Sequence, residues 1–256
     1  MDLGLKDKVA LVTGSSRGIG RAIALGLADE GCHVSLCARG EETLKQTAAE
    51  VGVKGVETLA TPADVTRPEE VERVVAATLA RWGRIDVLVN NVGGSKWTPF
   101  ENVPDEEWMD IFNLNLFAAV RMTRAALASM KTRGSGSIIT ISSIFGRESG
   151  GPVTYNATKA AEISMGKMLA KELAKTGIRV NTVAPGSVIF PGGNWQKRLD
   201  ADPEGIRQFV EREIPCGRFG TPEEIANVVV FLASDRASWV NGACINVDGC
   251  QSRALI

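Results

Sequence analysis

Val9-Ala10-Leu11-Val12-Thr13 has four apolar residues in succession and no polar alternation. That is the pattern of a parallel strand buried on both faces. Comparable runs at 34–38, 86–91, 137–142, 179–184 and 244–247 predict further strands, with another near 56–59 whose run ends at Asp64-Val65. Helical spacing fills the gaps, at 21–29, 41–50, 66–81, 105–131 and 155–175, with a last helix beginning near Thr221. In the third of these, Val71, Val74, Val75 and Leu79 share one side. Thr66-Arg67-Pro68-Glu69 and Thr221-Pro222-Glu223-Glu224 each read as a capping box opening a helix. Strictly alternating strands and helices predict one α/β unit with a seven-stranded parallel sheet and right-handed crossovers.

Three places depart from this regularity. Asn115 falls in the middle of the 105–131 helix, where asparagine is a poor former, so a local purpose such as holding a water or kinking the helix is expected. The 155–175 helix is apolar on two sides, Met165, Met168, Leu169 and Leu173 against Ala160, Ile163, Ala170 and Ala174, which predicts a second subunit on one of them. Residues 187–219 hold glycines, prolines and Trp195, with at best a short helix near 204–212. At the ligand-binding rim such an excursion reads as a lid. Trp195 and Trp97 either wall an apolar pocket or serve ordinary loop packing.

The first strand runs into Gly14-Ser15-Ser16-Arg17-Gly18-Ile19-Gly20 and then a helix. Glycines let the backbone approach an anion, and the free N–H groups of the helix's first turn face it, so a dinucleotide phosphate site is expected there. About 20 residues further on, NAD-binding folds carry a carboxylate for the ribose hydroxyls. Here Ala38 and Arg39 stand in that place. An arginine can pair with a 2′-phosphate, so NADP(H) is expected over NAD(H); otherwise Arg39 merely ends the strand in solvent. Asn90 and Asn91, and then Ser142 and Ser143, finish strands at the same rim, either satisfying backbone groups or touching ligand.

Composition narrows the chemistry. The chain of 256 residues has a net charge of −1, with 29 basic and 30 acidic residues interspersed, which gives no field for nucleic acid. No signal pattern or run long enough to span a bilayer is evident, so a cytoplasmic protein is expected. Five cysteines, unpaired by any metal or redox spacing, read as small buried hydrophobes. His33 is the only histidine, which removes histidine-rich metal sites and leaves a serine triad no choice of base. Tyr155, the only tyrosine, stands four residues before Lys159. On a helix the two share a face, and an ammonium beside a phenol favours the phenolate, the arrangement of a proton donor or acceptor.

The segments Thr13 to Gly20, Asp64, Asn90-Asn91-Val92-Gly93, Asn115, Ser143, Tyr155 with Lys159, and Pro185-Gly186 together resemble the short-chain dehydrogenase/reductase family, over essentially the whole chain. The resemblance implies a Rossmann-like doubly wound fold with helices on both faces, one domain over residues 1–256, and usually a homotetramer, or else a homodimer. It implies that Tyr155 is the general acid or base, Lys159 its partner and ribose ligand, Ser143 the carbonyl donor, and that Asn115 positions a water. The cofactor residues it implies are Gly14, Ser16, Arg17, Gly18, Ile19, Gly20, Asp64, Val65, Asn91, Gly93, Pro185, Gly186 and Val188, besides Tyr155, Lys159 and Arg39. Many relatives place the serine thirteen residues before the tyrosine, which selects Ser142; the Ile-Ser-Ser-Ile-Phe-Gly pattern selects Ser143. Phe190 stands where relatives often have a threonine for the nicotinamide carboxamide. The activity implied is NADPH-dependent reduction of a ketone, reversibly an alcohol dehydrogenation, with 3-oxoacyl-acyl-carrier-protein reductases as similar proteins. Lys131, Arg133 and Lys175 are then candidates for docking a carrier protein. A catalytically silent cofactor sensor is the alternative of another class.

Overall fold

The computed structural model describes residues 2–255. Its strands are β1 (Val9–Thr13), β2 (His33–Ala38), β3 (Thr58–Pro62), β4 (Val87–Asn90), β5 (Gly136–Ile141), β6 (Ile178–Pro185) and β7 (Cys244–Val247). They form one parallel sheet in the order β3-β2-β1-β4-β5-β6-β7. Successive side chains go to opposite faces, and each face has its own core. Ala10, Val12, Val87, Val89, Ile139 and Ile141 pack on one side with α1 (Gly18–Asp29), α2 (Glu41–Gly52) and α9 (Pro222–Ala233). Leu11, Leu88 and Ile138 face the other side, with α3 (Pro68–Trp82), α5 (Ala118–Arg133) and the end of α6 (Val153–Leu173). Removing each such leucine or isoleucine from water contributes about 1.5–3 kcal/mol. The continuous apolar strands are thus explained: both of their faces are covered.

The sheet's strand order reverses between β1 and β4, which lie side by side. A crevice opens there beyond the strands' carboxyl ends. Gly14 and Asn91 follow those two strands directly, so the glycine turn and the asparagine come together although they are far apart in sequence.

Several expectations need correction. Thr66 does not cap α3: Arg67 occupies the cap position without a side-chain bond, and the Thr66 hydroxyl donates instead to Asp64 at 2.8 Å. The Asp64 carboxylate, two residues back, also takes the Thr66 N–H and is the nearer acceptor. The second box forms as expected, Thr221 and Glu224 satisfying one another's backbone N–H groups. The edge strand β3 lies a few residues later than its apolar run. The 105–131 helix is three pieces, α4 (Asp105–Phe112), a π-helical turn at Asn113–Phe117, and α5. The region after β6 holds two helices, α7 (Asn194–Ala201) and α8 (Pro203–Glu213), where one short helix was expected.

The cysteines also divide. Cys32 and Cys37 are buried, and burial pushes both thiols up to about 12, but Cys216 and Cys250 are exposed and Cys244 is half-buried. Apolar composition alone does not assign the exposed pair, because both follow helices or strands in surface turns. His33 begins β2, accepts the Glu57 N–H at 3.1 Å and stacks on Trp82, at the end of the sheet away from the crevice. Among the described residues no helix is long and apolar enough to cross a membrane, and no cluster of side chains could hold a metal ion.

Candidate active site

The crevice is an open cleft of about 650 Å³ bordered by Gly14, Ser16, Arg17, Ile19, Gly20, Arg39, Asp64, Val65, Asn91 and Gly93. Its floor exists because it lacks side chains. A Cβ on Gly20 would meet the Gly14 carbonyl oxygen at 2.3 Å, and one on Gly14, whose φ is +64°, would meet the Asn91 amide at 2.9 Å. The first turn of α1 follows without an acidic residue or a capping side chain, which leaves its N–H groups for an anion. Ser15 faces the other way: its hydroxyl accepts the Cys37 N–H at 3.0 Å and ties the turn to β2. Asn91 braces the turn from β4, donating to the Thr13 and Gly14 carbonyls at 3.0 and 3.2 Å. Asn90 points away from the cleft and donates to Thr123. Of the two asparagines, one therefore serves structure alone.

Arg39 is exposed at the cleft's edge, after β2. Across from it burial works against the Asp64 carboxylate, but the two Thr66 hydrogen bonds and the charges of Arg39 and Arg67 outweigh it and hold that carboxyl below its ordinary range. This end of the cleft is thus charged on both sides, positive at Arg39 and negative at Asp64.

A smaller cleft of about 260 Å³ continues the first, sharing Ile19, Asn91, Gly93, Gly94 and Phe190 with it. Ser142, Ser143, Tyr155, Lys159, Pro185, Gly186, Val188, Asn194 and Trp195 complete its wall. The two serines differ in what their protons do. The Ser142 hydroxyl donates to the Lys159 carbonyl at 2.9 Å, deep under α6. Ser143 accepts the Phe145 N–H at 3.1 Å and keeps its own proton for the cleft. Tyr155 is half-buried one turn before Lys159, whose Nζ lies 5.6 Å from the centre of the phenol ring.

Asn115 is wholly buried in the π-helical turn. Its side chain accepts the Gly94 N–H at 3.0 Å and donates to the Gly94 and Ile111 carbonyls, both at 2.9 Å. The widened turn frees the Ile111 carbonyl, and the asparagine satisfies it while clamping the loop after β4. That is the local purpose its position called for.

Phe190 lies with its ring edge against Gly18, where a Cβ would meet the ring at 2.6 Å, at the junction of the two clefts. A hydrocarbon ring there can pack on a flat heterocycle but donates no hydrogen bond. Trp195 stacks on Phe209 at 4.6 Å and meets Phe219 at a tilt at 5.0 Å, giving the segment after β6 its own aromatic cluster. Trp97 is 68% exposed and meets Arg198, so it does not wall the pocket. Lys131, Arg133 and Lys175 end helices that run back to the strands' amino ends, opposite the clefts, and Arg133 is committed to the buried Asp86 at 2.6 Å. A third cleft, about 740 Å³, opens at that far rim near Arg179 and Trp239 and contains none of the expected site residues.

One buried side chain escaped the sequence reading. Glu162 is 1% exposed and holds the Lys159 ammonium with both oxygens, at 2.9 and 3.0 Å. Its spacing, three residues after the lysine, was the available signal.

The family model described as Enoyl-(Acyl carrier protein) reductase matches residues 14–250, from the glycine turn to the end of the sheet. The chain belongs to the short-chain dehydrogenase/reductase family. It is an oxidoreductase of that family, similar to the 3-oxoacyl-[acyl-carrier-protein] reductases of Staphylococcus aureus and Escherichia coli. The first is 38% identical over 94% of this chain and 97% of its own, the second 39% over 96% and 98%. The crystal structure of L-sorbose reductase from Gluconobacter frateurii, complexed with NADPH and L-sorbose, is 38% identical and superposes with a TM-score of 0.94, covering all of both chains. Levodione reductase superposes with a TM-score of 0.90 at 35% identity, over 96% of this chain and 98% of its own.

Proposed function

We propose that this chain is an NADPH-dependent carbonyl reductase in which Tyr155 delivers the proton. The observation that carries the reading is the Ser143–Tyr155 pair, two hydroxyls facing a small cleft that continues from a glycine-floored cradle. Residues 1–256 form one catalytic domain, with 187–219 as its lid. The cradle and the first turn of α1 receive the cofactor's diphosphate, Arg39 the 2′-phosphate, and Asp64 and Val65 the adenine. Pro185, Gly186 and Val188 border the nicotinamide end. The bound nicotinamide supplies a hydride to the carbonyl carbon. Ser143 donates to the carbonyl oxygen, and Tyr155 transfers its proton there as negative charge develops, a preorganised donor of this kind being worth about 3 kcal/mol. Asn115, through its main chain at the π-helical turn, holds the water that returns a proton to the site.

The polar wall of Ser95, Ser143 and Asn194 suits a hydroxylated ketone, and the likeness to L-sorbose reductase favours that substrate class. The curated relatives favour a second reading, an acyl-carrier-protein thioester. NADPH oxidation with a ketose, a cyclic diketone and an acetoacetyl thioester separates the two; the ketose is expected to turn over fastest. A silent cofactor sensor would oxidise NADPH with none of them. We place the protein in the cytoplasm.

We also propose a homotetramer. Met109, Phe117 and Met168 expose 71%, 44% and 58% of their surface along α4 to α6. Light scattering is expected to return four times the chain mass, and a monomer would refute it.

A further inference from the structure

Lys159 donates three hydrogen bonds, to the Ile141 carbonyl at 3.0 Å and to the two Glu162 oxygens. A lysine ammonium has three protons, so all of them are spent inside the protein. Lysine and glutamate are 3% and 1% exposed, so Lys159 meets the cleft only at its edge and the pair has almost no water around it. A buried ion pair of this kind is costly to form and seldom repays its desolvation in stability. Glu162 sits beside Lys159, two turns after Tyr155 on the same helix.

We propose that Glu162 is a positioning residue: it keeps Lys159 protonated in the dry interior and releases one of its two contacts when the cofactor's ribose arrives. This rests on the reading of Lys159 as the ribose ligand. Going from two contacts to one frees a proton for the ribose hydroxyl without leaving the ammonium unpaired. Burial alone would make the lysine give up its proton; the carboxylate outweighs it, and the ammonium's pKa stands above the ordinary lysine value. Burial likewise pushes the Glu162 carboxyl up, with Lys159 opposing it. Tyr155 on the same helix is the other titratable group that acts on the ammonium; from β5 and the π-helical turn it meets the neutral Ile141 carbonyl and the neighbourhood of Asn115.

With Glu162→Gln, burial acts on the lysine with its main opposing charge removed, so the ammonium is lost at lower pH. The alkaline limb of ketone reduction, which needs the Lys159 ammonium, therefore moves to lower pH, by about 1 unit. Glu162→Asp keeps the charge, so its limb stays at the wild-type pH while kcat falls. A residue that merely filled space would lower activity in both variants with neither limb displaced. The pairing itself is read without cofactor or turnover, by melting Lys159→Met, Glu162→Gln and the double variant. Each single change is expected to cost about 10 °C in Tm, and the double variant less than the sum. Additive melting losses overturn the pairing; coupled melting with an unmoved limb in Glu162→Gln overturns the role. Should Glu162→Gln fail to fold, a displaced limb in Glu162→Asp overturns the role as well. Melting that is coupled in protein lacking reductase activity leaves the pair standing and refutes the catalytic reading alone.

Discussion

Tyr155→Phe is expected to lower kcat about 10³-fold and to leave NADPH affinity nearly unchanged. The substitution removes one oxygen and keeps the ring, so the half-buried position and the start of α6 stay filled. Proton transfer from a placed side chain is worth about 10²–10⁴ in rate, and no second phenol exists to replace it. In the proposed mechanism Ser143 would still donate to the carbonyl oxygen of the variant's substrate, but a serine proton is not easily surrendered. Stopped-flow turnover with fluorescence titration of NADPH separates the chemistry from binding. Retention of more than about a hundredth of the wild-type kcat, the lower bound of that range, would mean that the proton comes from elsewhere.

Arg39→Asp is expected to turn the preference for NADPH into one for NADH, with the ratio of kcat/KM values moving about 10²-fold or more. The arginine is exposed at the end of β2, where it borders the adenosine side of the cleft. A guanidinium pairs with a 2′-phosphate through two parallel hydrogen bonds; a carboxylate there repels the phosphate and accepts from the unphosphorylated ribose instead. Because the residue packs against nothing buried, Tm should hardly move, which keeps the measurement one of recognition. Equal efficiency of the wild-type protein with both cofactors would remove Arg39 from this role.

The two predictions differ in how far the sequence alone supported them. Tyr155 and Lys159 are four residues apart on one helix, and the sharing of a face is set by local geometry. Arg39 follows a strand whose position was clear from its apolar run. Ser143 was chosen over Ser142 by pattern; in the structure the Ser142 hydroxyl donates to the Lys159 carbonyl, while that of Ser143 accepts the Phe145 N–H.

Other positions were not legible. The face of α6 that meets the sheet carries Thr158, Lys159, Glu162, Gly166 and Ala170, while Met168 faces outward. Each apolar stripe read from the sequence gives that face only one residue, Ala170 or Leu173, because polar side chains paired with one another can be buried as completely as apolar ones. The basic residues considered for carrier docking, Lys131, Arg133 and Lys175, lie at the wrong rim. Their helices return the chain to the strands' amino ends, a direction that charge along a sequence does not record.

By itself the sequence determined the strands, the glycine turn, the lysine–tyrosine spacing and the arginine after β2, and with them the family. Each depends on residues within a few positions of one another, where sterics and spacing decide the outcome. Only the tertiary structure decided which serine keeps a free proton, that Asn115 widens a helix to clamp Gly94, and that Glu162 occupies every remaining proton of Lys159. Those depend on how helices are rotated against the sheet, and partners brought together that way leave no local periodic signal.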